Sequence, residues 1–509
     1  TKFQAAVNEA SKEETVLAID VCVAEATTTA EKKNCRDPTS STGAEIVNAL
    51  KASLGKPHLG NEEAIYFTEK AVKKGMGSKF QACIDAADTS PEKLACKGSD
   101  DTKTQLKDAL GKPDLTDADV AKEMEEVVKG VISDNFVHCM EIADDKHAAR
   151  PTCQAAANTE RTEYFGEDKP IEAQQDVMDV ATKKVSQEVD ACRSAKEQEG
   201  DAVGKAKCGN PANNPALLNQ IKMLTGKTSI TRVEAQALVH KGAQTAVTEF
   251  MKTCTSGTNT LTNCATDALS IMENSAGKPI ARQELCEGLN AGTPSEVKSA
   301  LASCLASGKN ATSIECRNAK RESYKAAKGI ASSVPVKTIA LGTEQSLTSG
   351  TQQALVDGSK ACMDLAAGDS IQIATCNTNK IANAKTAKAA AEGVDANAFN
   401  DADVQRDLDK GQQSDVGRTF VACTKANETD CVIKIQEYVA ESEGKTVGSR
   451  RLGAMPLNKI KETMHDAGIQ SYGEKMNACW EAAELETDVA AAKTTCGTKE
   501  TKIYALVES

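Results

Sequence analysis

Aromatic residues are scarce in this chain. Phe, Trp and Tyr together make up 3% of it, and there is a single Trp. Such side chains bury the most area per residue, and much of the 40% apolar content here is Ala. Contacts between elements must therefore be thin, and a small unit standing alone would be marginal. The shortage of aromatics and of His, with five in all, also argues against extensive cofactor packing. No basic stretch is interleaved with aromatics in the manner of a nucleic-acid surface, and the net charge of −12 is mild for 509 residues. No apolar run approaches the ~20 residues needed to span a bilayer.

Catalytic and metal-binding signatures are missing as well. No Cys-x-x-Cys occurs, which excludes zinc ribbons, thioredoxin-like motifs and the common iron–sulfur spacings; the closest cysteines are Cys423 and Cys431. His58, His138, His147, His240 and His465 form no i, i+4 pair. A metal site at His138 and His147 would need Cys139 as a thiolate. Gly226-Lys227-Thr228 and Gly444-Lys445-Thr446 resemble the end of a phosphate loop, but Ile221 and Val439 stand where that loop requires glycine. The acidic stretch from Asp395 to Asp403 lacks the glycine and terminal glutamate of a calcium loop. With no Gly-x-Ser-x-Gly elbow and no strand to carry a dinucleotide loop, the expectation is a chain with no enzymatic activity, no cofactor and no metal.

What the chain does have is 19 cysteines in a repeating arrangement. The pairing expected is local: Cys22 with Cys35, Cys83 with Cys96, Cys139 with Cys153, Cys192 with Cys208, Cys254 with Cys264, Cys304 with Cys316, Cys362 with Cys376, Cys423 with Cys431, and Cys479 with Cys496. Cys286 is left over: a buried free thiol, a partner in an intermolecular disulfide or other covalent attachment, or re-paired with Cys304. The first cysteines of successive pairs are 50 to 62 residues apart, so the chain reads as an array of small units rather than a few large domains.

Three residues before each first cysteine stand Ile19, Phe80, Phe136, Val189, Met251, Leu301, Ser359, Phe420 and Met476; seven before it stand Thr15, Met76, Ile132, Val185, Val247, Val297, Leu355, Val416 and Tyr472. Each set is apolar in eight of nine cases. Offsets of −7, −3 and 0 share one face of an α-helix, which predicts a long helix with the first cysteine on its buried side. The segments between cysteines are polar and are expected to be exposed loops. After the second cysteine a shorter helix follows, with Ile46, Val47, Leu50 and Leu54 as its stripe and Ser41 or Thr42 as N-cap. Gly55, Gly111 and Gly226 are placed to stop it. The least patterned regions, Ser346–Gln353 and Ala387–Asn400, are expected to be connectors or a bend.

The fold expected is all-α: about nine disulfide-stapled helical hairpins forming an α-solenoid or rod-like array. The repeats divide at 1–57, 58–113, 114–170, 171–228, 229–279, 280–331, 332–394, 395–446 and 447–509. Disulfides at this density belong to an oxidising compartment, so the location expected is extracellular or cell-surface, with an oxidising organelle lumen as the alternative. A leader removed before Thr1 would fit, and the cut end of a longer chain would look the same. The sequons at Asn310 and Asn427 both fall between paired cysteines, as glycosylated surface links would. The leading functional expectation is a structural repeat protein that self-associates or joins other surface proteins in a layer, appendage or filament. The alternatives are an adhesion scaffold that grips a protein or glycan through the inter-cysteine links and, more weakly, a linker protein in an organelle lumen.

Overall fold

The computed structural model describes residues 14–425, leaving out 20, 36, 55–58, 111, 113–114, 167–169, 226–229, 231, 256–258, 307, 331–333, 335, 367–369 and 393; it also describes 433, 435 and 475–496 without 487. Among the described residues the chain is all-α, without a strand, and eight cysteine pairs staple successive helices.

The repeats follow one plan in two versions. A long helix carries the first cysteine, as in Asn61–Ala86, Asp117–Ile142 and Pro170–Gln198. In repeats 1, 2 and 4 a short helix then carries the chain to the second cysteine (Thr29–Asn34, Ser90–Gly98, Ala202–Lys207), and another short helix follows (Ser41–Ser53, Asp100–Leu110, Pro215–Thr225). In repeats 3, 5, 6 and 7 the two are fused, so that Lys146–Phe165, Leu261–Ala276, Ile314–Lys328 and Ser370–Glu392 each contain the second cysteine. The cap of the Ser41–Ser53 helix is Ser40, one residue before the expected position; its hydroxyl accepts from the Gly43 amide.

The stripe that defined the repeat is the core. At −3, Ile19, Phe80, Phe136, Val189, Met251 and Leu301 are all at most 3% exposed, and at −7 every described residue is buried, Thr15 included. Ser359 and Met476 are half-buried, and Phe420 and Tyr472 lie outside the described side chains.

Two compact units divide the chain: Thr1–Ser229, Glu249–Pro279 and Ala306–Gly308 make the first, and Ile230–Thr248, Ile280–Leu305 and Lys309–Ser509 the second. Within the first, Asp117–Ile142 packs on both Asn61–Ala86 and Pro170–Gln198, and the ring of Phe80 meets that of Tyr164 edge-on at 5.3 Å. The chain also returns. Leu261–Ala276 of repeat 5 packs on Asn61–Ala86 of repeat 2 as well as on Pro170–Gln198. Beside it, Phe250 stacks edge-on against Tyr66 at 5.8 Å. The second unit contains its own return: the helix over 475–483 of repeat 9 is tied to Arg282–Ala306 of repeat 6 through Gln283 and Asn290. Each unit thus adds a contact three repeats away to the neighbour-on-neighbour packing of an array.

One expected connector is a helix. Ser346–Gln353 lies inside Val336–Ala366, which runs for 31 residues. The glycine within that region marks a close approach: a Cβ at Gly350 would lie 2.5 Å from the Pro294 carbonyl oxygen. Earlier on the same helix, one at Gly342 would lie 2.2 Å from the Tyr324 hydroxyl. The other region does break, with a helix ending at Glu392 and a 3-10 turn at Ala396–Ala398 before Asp401–Lys425. Gly55, Gly111 and Gly226 lie outside the described residues. Gly277, in the same Gly-Lys setting, adopts the left-handed stop at φ 70° and donates its amide to the Glu273 carbonyl.

Candidate functional site

Eight of the expected pairs are joined in the structure: Cys22–Cys35, Cys83–Cys96, Cys139–Cys153, Cys192–Cys208, Cys254–Cys264, Cys304–Cys316, Cys362–Cys376 and Cys479–Cys496. Their Cα separations run from 5.5 to 6.3 Å. Cys423–Cys431 lies outside the described residues. The second cysteine is buried in all eight, at 8% exposure or less. The first is not uniformly buried, against expectation: Cys192, Cys254 and Cys304 are, Cys22, Cys139, Cys362 and Cys479 are half-buried, and Cys83 is exposed. The reason is angular. The −7 and −3 residues point into the core, and the cysteine after them sits at the margin of that stripe, where it reaches across to a partner on the next helix.

The links between paired cysteines are tighter than loops. Thr28 and Thr89 each accept from the backbone of a glutamate three residues on, Glu31 and Glu92, and that glutamate's carboxylate accepts from the cap's own amide. These are reciprocal capping boxes, which satisfy two otherwise orphaned donors at a helix start. The hydrogen bond from the Thr27 hydroxyl, with the backbone amides beside it, lowers the Glu31 carboxyl pKa, and Thr89 does the same for Glu92. Threonine-rich sequence between cysteines is thus helix-start chemistry, which composition alone does not separate from a flexible loop.

The links also present something unexpected. Six of the eight described links expose a large aliphatic side chain: Leu94, Ile142, Val203, Ile314, Ile371 and Val489, with exposures from 37% to 75%. Single exposed aliphatics are ordinary on a protein surface; their recurrence beside one disulfide after another is the distinctive feature. Asn310 is exposed in the same setting, and its side-chain oxygen accepts from the amide and hydroxyl of Thr312 at 2.9 and 2.8 Å. Asn427 lies outside the described residues.

A second arrangement, hidden from sequence reading, runs through the first unit. Lys73 bridges Glu123 and Glu126 at 2.5 and 2.6 Å; Lys183 and Lys70 meet Glu249 at 2.7 and 3.5 Å; Lys252 approaches Glu126 at 3.6 Å. These groups come from four long helices and are 20% to 40% exposed. Desolvation alone would raise the Glu249 carboxyl, but Lys183 and Lys70 outweigh it and bring the pKa down to about 2. Desolvation likewise opposes ionisation of Lys73, yet Glu126 and Glu123 hold it well above the usual ammonium range. Four ammonium groups share three carboxylates drawn from different helices, and the lattice thereby fixes the relative register of those helices.

Cys286 is unpaired and fully buried on Arg282–Ala306, its thiol pushed up to about 12 by burial, with Glu481 the next cause. Cys304 keeps Cys316 as its partner, so Cys286 is not re-paired with it and is a buried free thiol within the chain. Cys139 is committed to its disulfide, which removes it from any site with His138. In the acidic stretch, Asp395 accepts from the Asn397 amide at 2.7 Å, and Asp403 bonds Asn400 and Arg406. These groups start helices. Among the described residues no three of His, Cys, Asp or Glu are grouped to hold a metal ion, and no helix is long and apolar enough to cross a membrane. Numerous intrachain disulfides fit a compartment other than the reducing cytoplasm. The chain matches no family model, no curated protein and no solved structure.

Proposed function

We propose that this chain is an exported, non-enzymatic structural protein that self-associates at the cell surface or outside it through its cystine-bracketed links. The observation that supports this reading is the recurrence of an exposed aliphatic side chain beside six of eight disulfides. A disulfide holds each link in one conformation, so little ordering entropy remains to be lost when its aliphatic residue docks. Each contact would be weak. Repetition along one chain makes later contacts intramolecular once the first has formed, and this raises the total by orders of magnitude without any strong site. Glycans at Asn310 and Asn427 would suit such an exposed location.

The test is self-association of the oxidised protein, followed by analytical ultracentrifugation and electron microscopy. The wild type is expected to form assemblies, and the variant carrying Ile142→Ser, Val203→Ser and Ile371→Ser to remain monomeric with its helicity unchanged. A wild type that stays monodisperse and monomeric at every concentration refutes the reading. Recovery of one stoichiometric protein or glycan partner by that monomer, lost in the triple variant, would assign the same links to an adhesion scaffold instead.

A further inference from the structure

Successive repeats meet through a recurring pair of helix faces. Counted from the first cysteine of each pair, the residue at −6 of one long helix lies against the residue at −8 or −12 of the next. Val16 of repeat 1 takes the space left by the missing side chain of Gly75 in repeat 2, and Gly77 of repeat 2 makes room for Val131 of repeat 3. In the second unit Thr248, Lys298 and Val356, each at −6, stand against Gly292, Gly350 and Gly411, each at −12 of the repeat that follows. Polar pairs keep the same register. Lys360 at −2 of repeat 7 pairs with Asp415 at −8 of repeat 8, and Arg418 at −5 donates to Gln353. On an α-helix −12, −8, −5 and −1 share one face, turned to the repeat before, while −6, −2 and +1 share another, turned to the repeat after.

Two repeats present these faces uncovered and apolar. On the first face of repeat 1, Leu17 at −5 is 65% exposed, Val21 at −1 is 57% exposed, and Glu14 at −8 is exposed beside them. The pair breaks the pattern of the chain: at −5 every other repeat has a polar residue, and at −1 five of the other eight have alanine. Ala82 and His138, at −1 of repeats 2 and 3, are exposed too, but neither is a large aliphatic. On the second face of repeat 9, Trp480 at +1 is 49% exposed and Asn477 at −2 is exposed. The +1 residues of repeats 2, 3, 4 and 7, which are Ile84, Met140, Arg193 and Met363, are all buried.

We propose that copies of this chain join head to tail, with Leu17 and Val21 of one copy seated on Trp480 of another, so that the contact between successive repeats continues from chain to chain. A second copy is the occupant because the contact is the one already used between neighbours: it brings a −2/+1 face to a −8/−5/−1 face. In that register Glu14 meets Asn477, whose amide can donate to it, as Lys360 does to Asp415. The contact uses a different surface on each partner, so every joined pair keeps one free face of each kind and the assembly propagates. It is made by long-helix faces and not by the cystine-bracketed links, and it stands independently of the reading above.

The experiment uses the full oxidised chain and two single-ended variants, Leu17→Gln with Val21→Gln, and Trp480→Gln, with helicity checked by circular dichroism. In analytical ultracentrifugation the wild type is expected to form a series of oligomers, and each variant alone to associate at least ~100-fold more weakly. Mixed one to one, the variants are expected to form a species of two chains and nothing larger, because each supplies the face that the other lacks. The only Trp in that mixture is Trp480 of the Leu17 and Val21 variant, and its emission should move to shorter wavelength as the contact covers it. A Trp480→Gln chain that still dimerises by itself overturns the proposal, since repeat 1 would then pair with its own kind. Variants that both assemble as wild type does also overturn it, and assign assembly to the links. So does a mixture that stays monomeric. Two results on the wild type alone, which need no variant to fold, overturn it as well: assembly with Trp480 emission unchanged, or no assembly.

Discussion

Glu249 lies at the centre of the ion lattice in the first unit, and its titration gives the sharpest test of that lattice. Its carboxylate meets Lys183 at 2.7 Å and Lys70 at 3.5 Å, accepts from the Tyr66 hydroxyl at 3.4 Å, and is 20% exposed. The folded pKa is about 2, against roughly 4.3 in an unfolded chain. A depressed carboxyl stabilises the fold above the unfolded pKa, and that contribution disappears as pH falls from about 4.3 through 2. At about 1.4 kcal/mol per unit the ceiling is roughly 3 kcal/mol, and solvent screening at a partly exposed site reduces it to ~1–2 kcal/mol. Glu249→Gln should therefore cost ~1–2 kcal/mol at pH 7, where it leaves two ammonium groups without their anion, and almost nothing at pH 2. The measurement is hydrogen exchange by mass spectrometry on peptides from Asn61–Ala86 and Pro170–Gln198, which reads this unit even if the two units unfold separately. A variant with wild-type protection at pH 7 would refute the reasoning. A difference as large at pH 2 as at pH 7 would do so equally, because it would trace the effect to shape rather than charge.

Three further variants test the close packing and the staples. Gly277→Ala places a Cβ 2.2 Å from the Gly209 amide nitrogen at a residue with φ 70°; it should destabilise the first unit by at least ~2 kcal/mol, from left-handed strain and backbone clash together. Gly130→Ala, where a Cβ meets nothing within 4 Å inside a helix, should instead stabilise by ~0.5–1 kcal/mol; equal effects in thermal melts would count against the packing account. Replacing both Cys83 and Cys96, 13 residues apart, with Ala should cost about 3 kcal/mol by the chain-entropy argument. Limited proteolysis should then cut first near Asp88, where the structure has its turn, and an unchanged digestion pattern would show that the staple is dispensable.

The helical stripe, the eight described disulfides and the helix stop at Gly277 were legible in the sequence because each rests on residues close together in the chain. Period and spacing carry that information directly. What sequence could not supply is angular or distant. Whether Cys83 is exposed and Cys192 buried depends on which neighbour covers the margin of the stripe. The pairing of Lys183 with Glu249 joins residues of different repeats, and each looks like an ordinary polar-face charge until the helices are placed. Ser346–Gln353, with Gly350 in it, reads as a break because a propensity for bending and a need for close approach use the same residue. Gln283 and Asn290 flank Cys286 at helical spacing, and their partners, about 200 residues further on, left no local trace.

The shortage of aromatics and the abundance of disulfides have one physical explanation. A hairpin held by its own covalent staple keeps its two arms together whether or not a neighbour is docked, so the faces between repeats need not supply most of the stability. Those faces can then be made from residues that bury little area: alanines on the helix over 475–483, threonines such as Thr182 and Thr293 that return their hydroxyls to the carbonyl four residues back, and glycines that let backbones meet. Salt bridges such as Lys73–Glu126 set the register where a large side chain would otherwise do so. Such faces fix position through close approach and paired charge more than through buried apolar area. Covalent hairpins hold each repeat together locally, and thin faces registered by paired charges set its position against its neighbours.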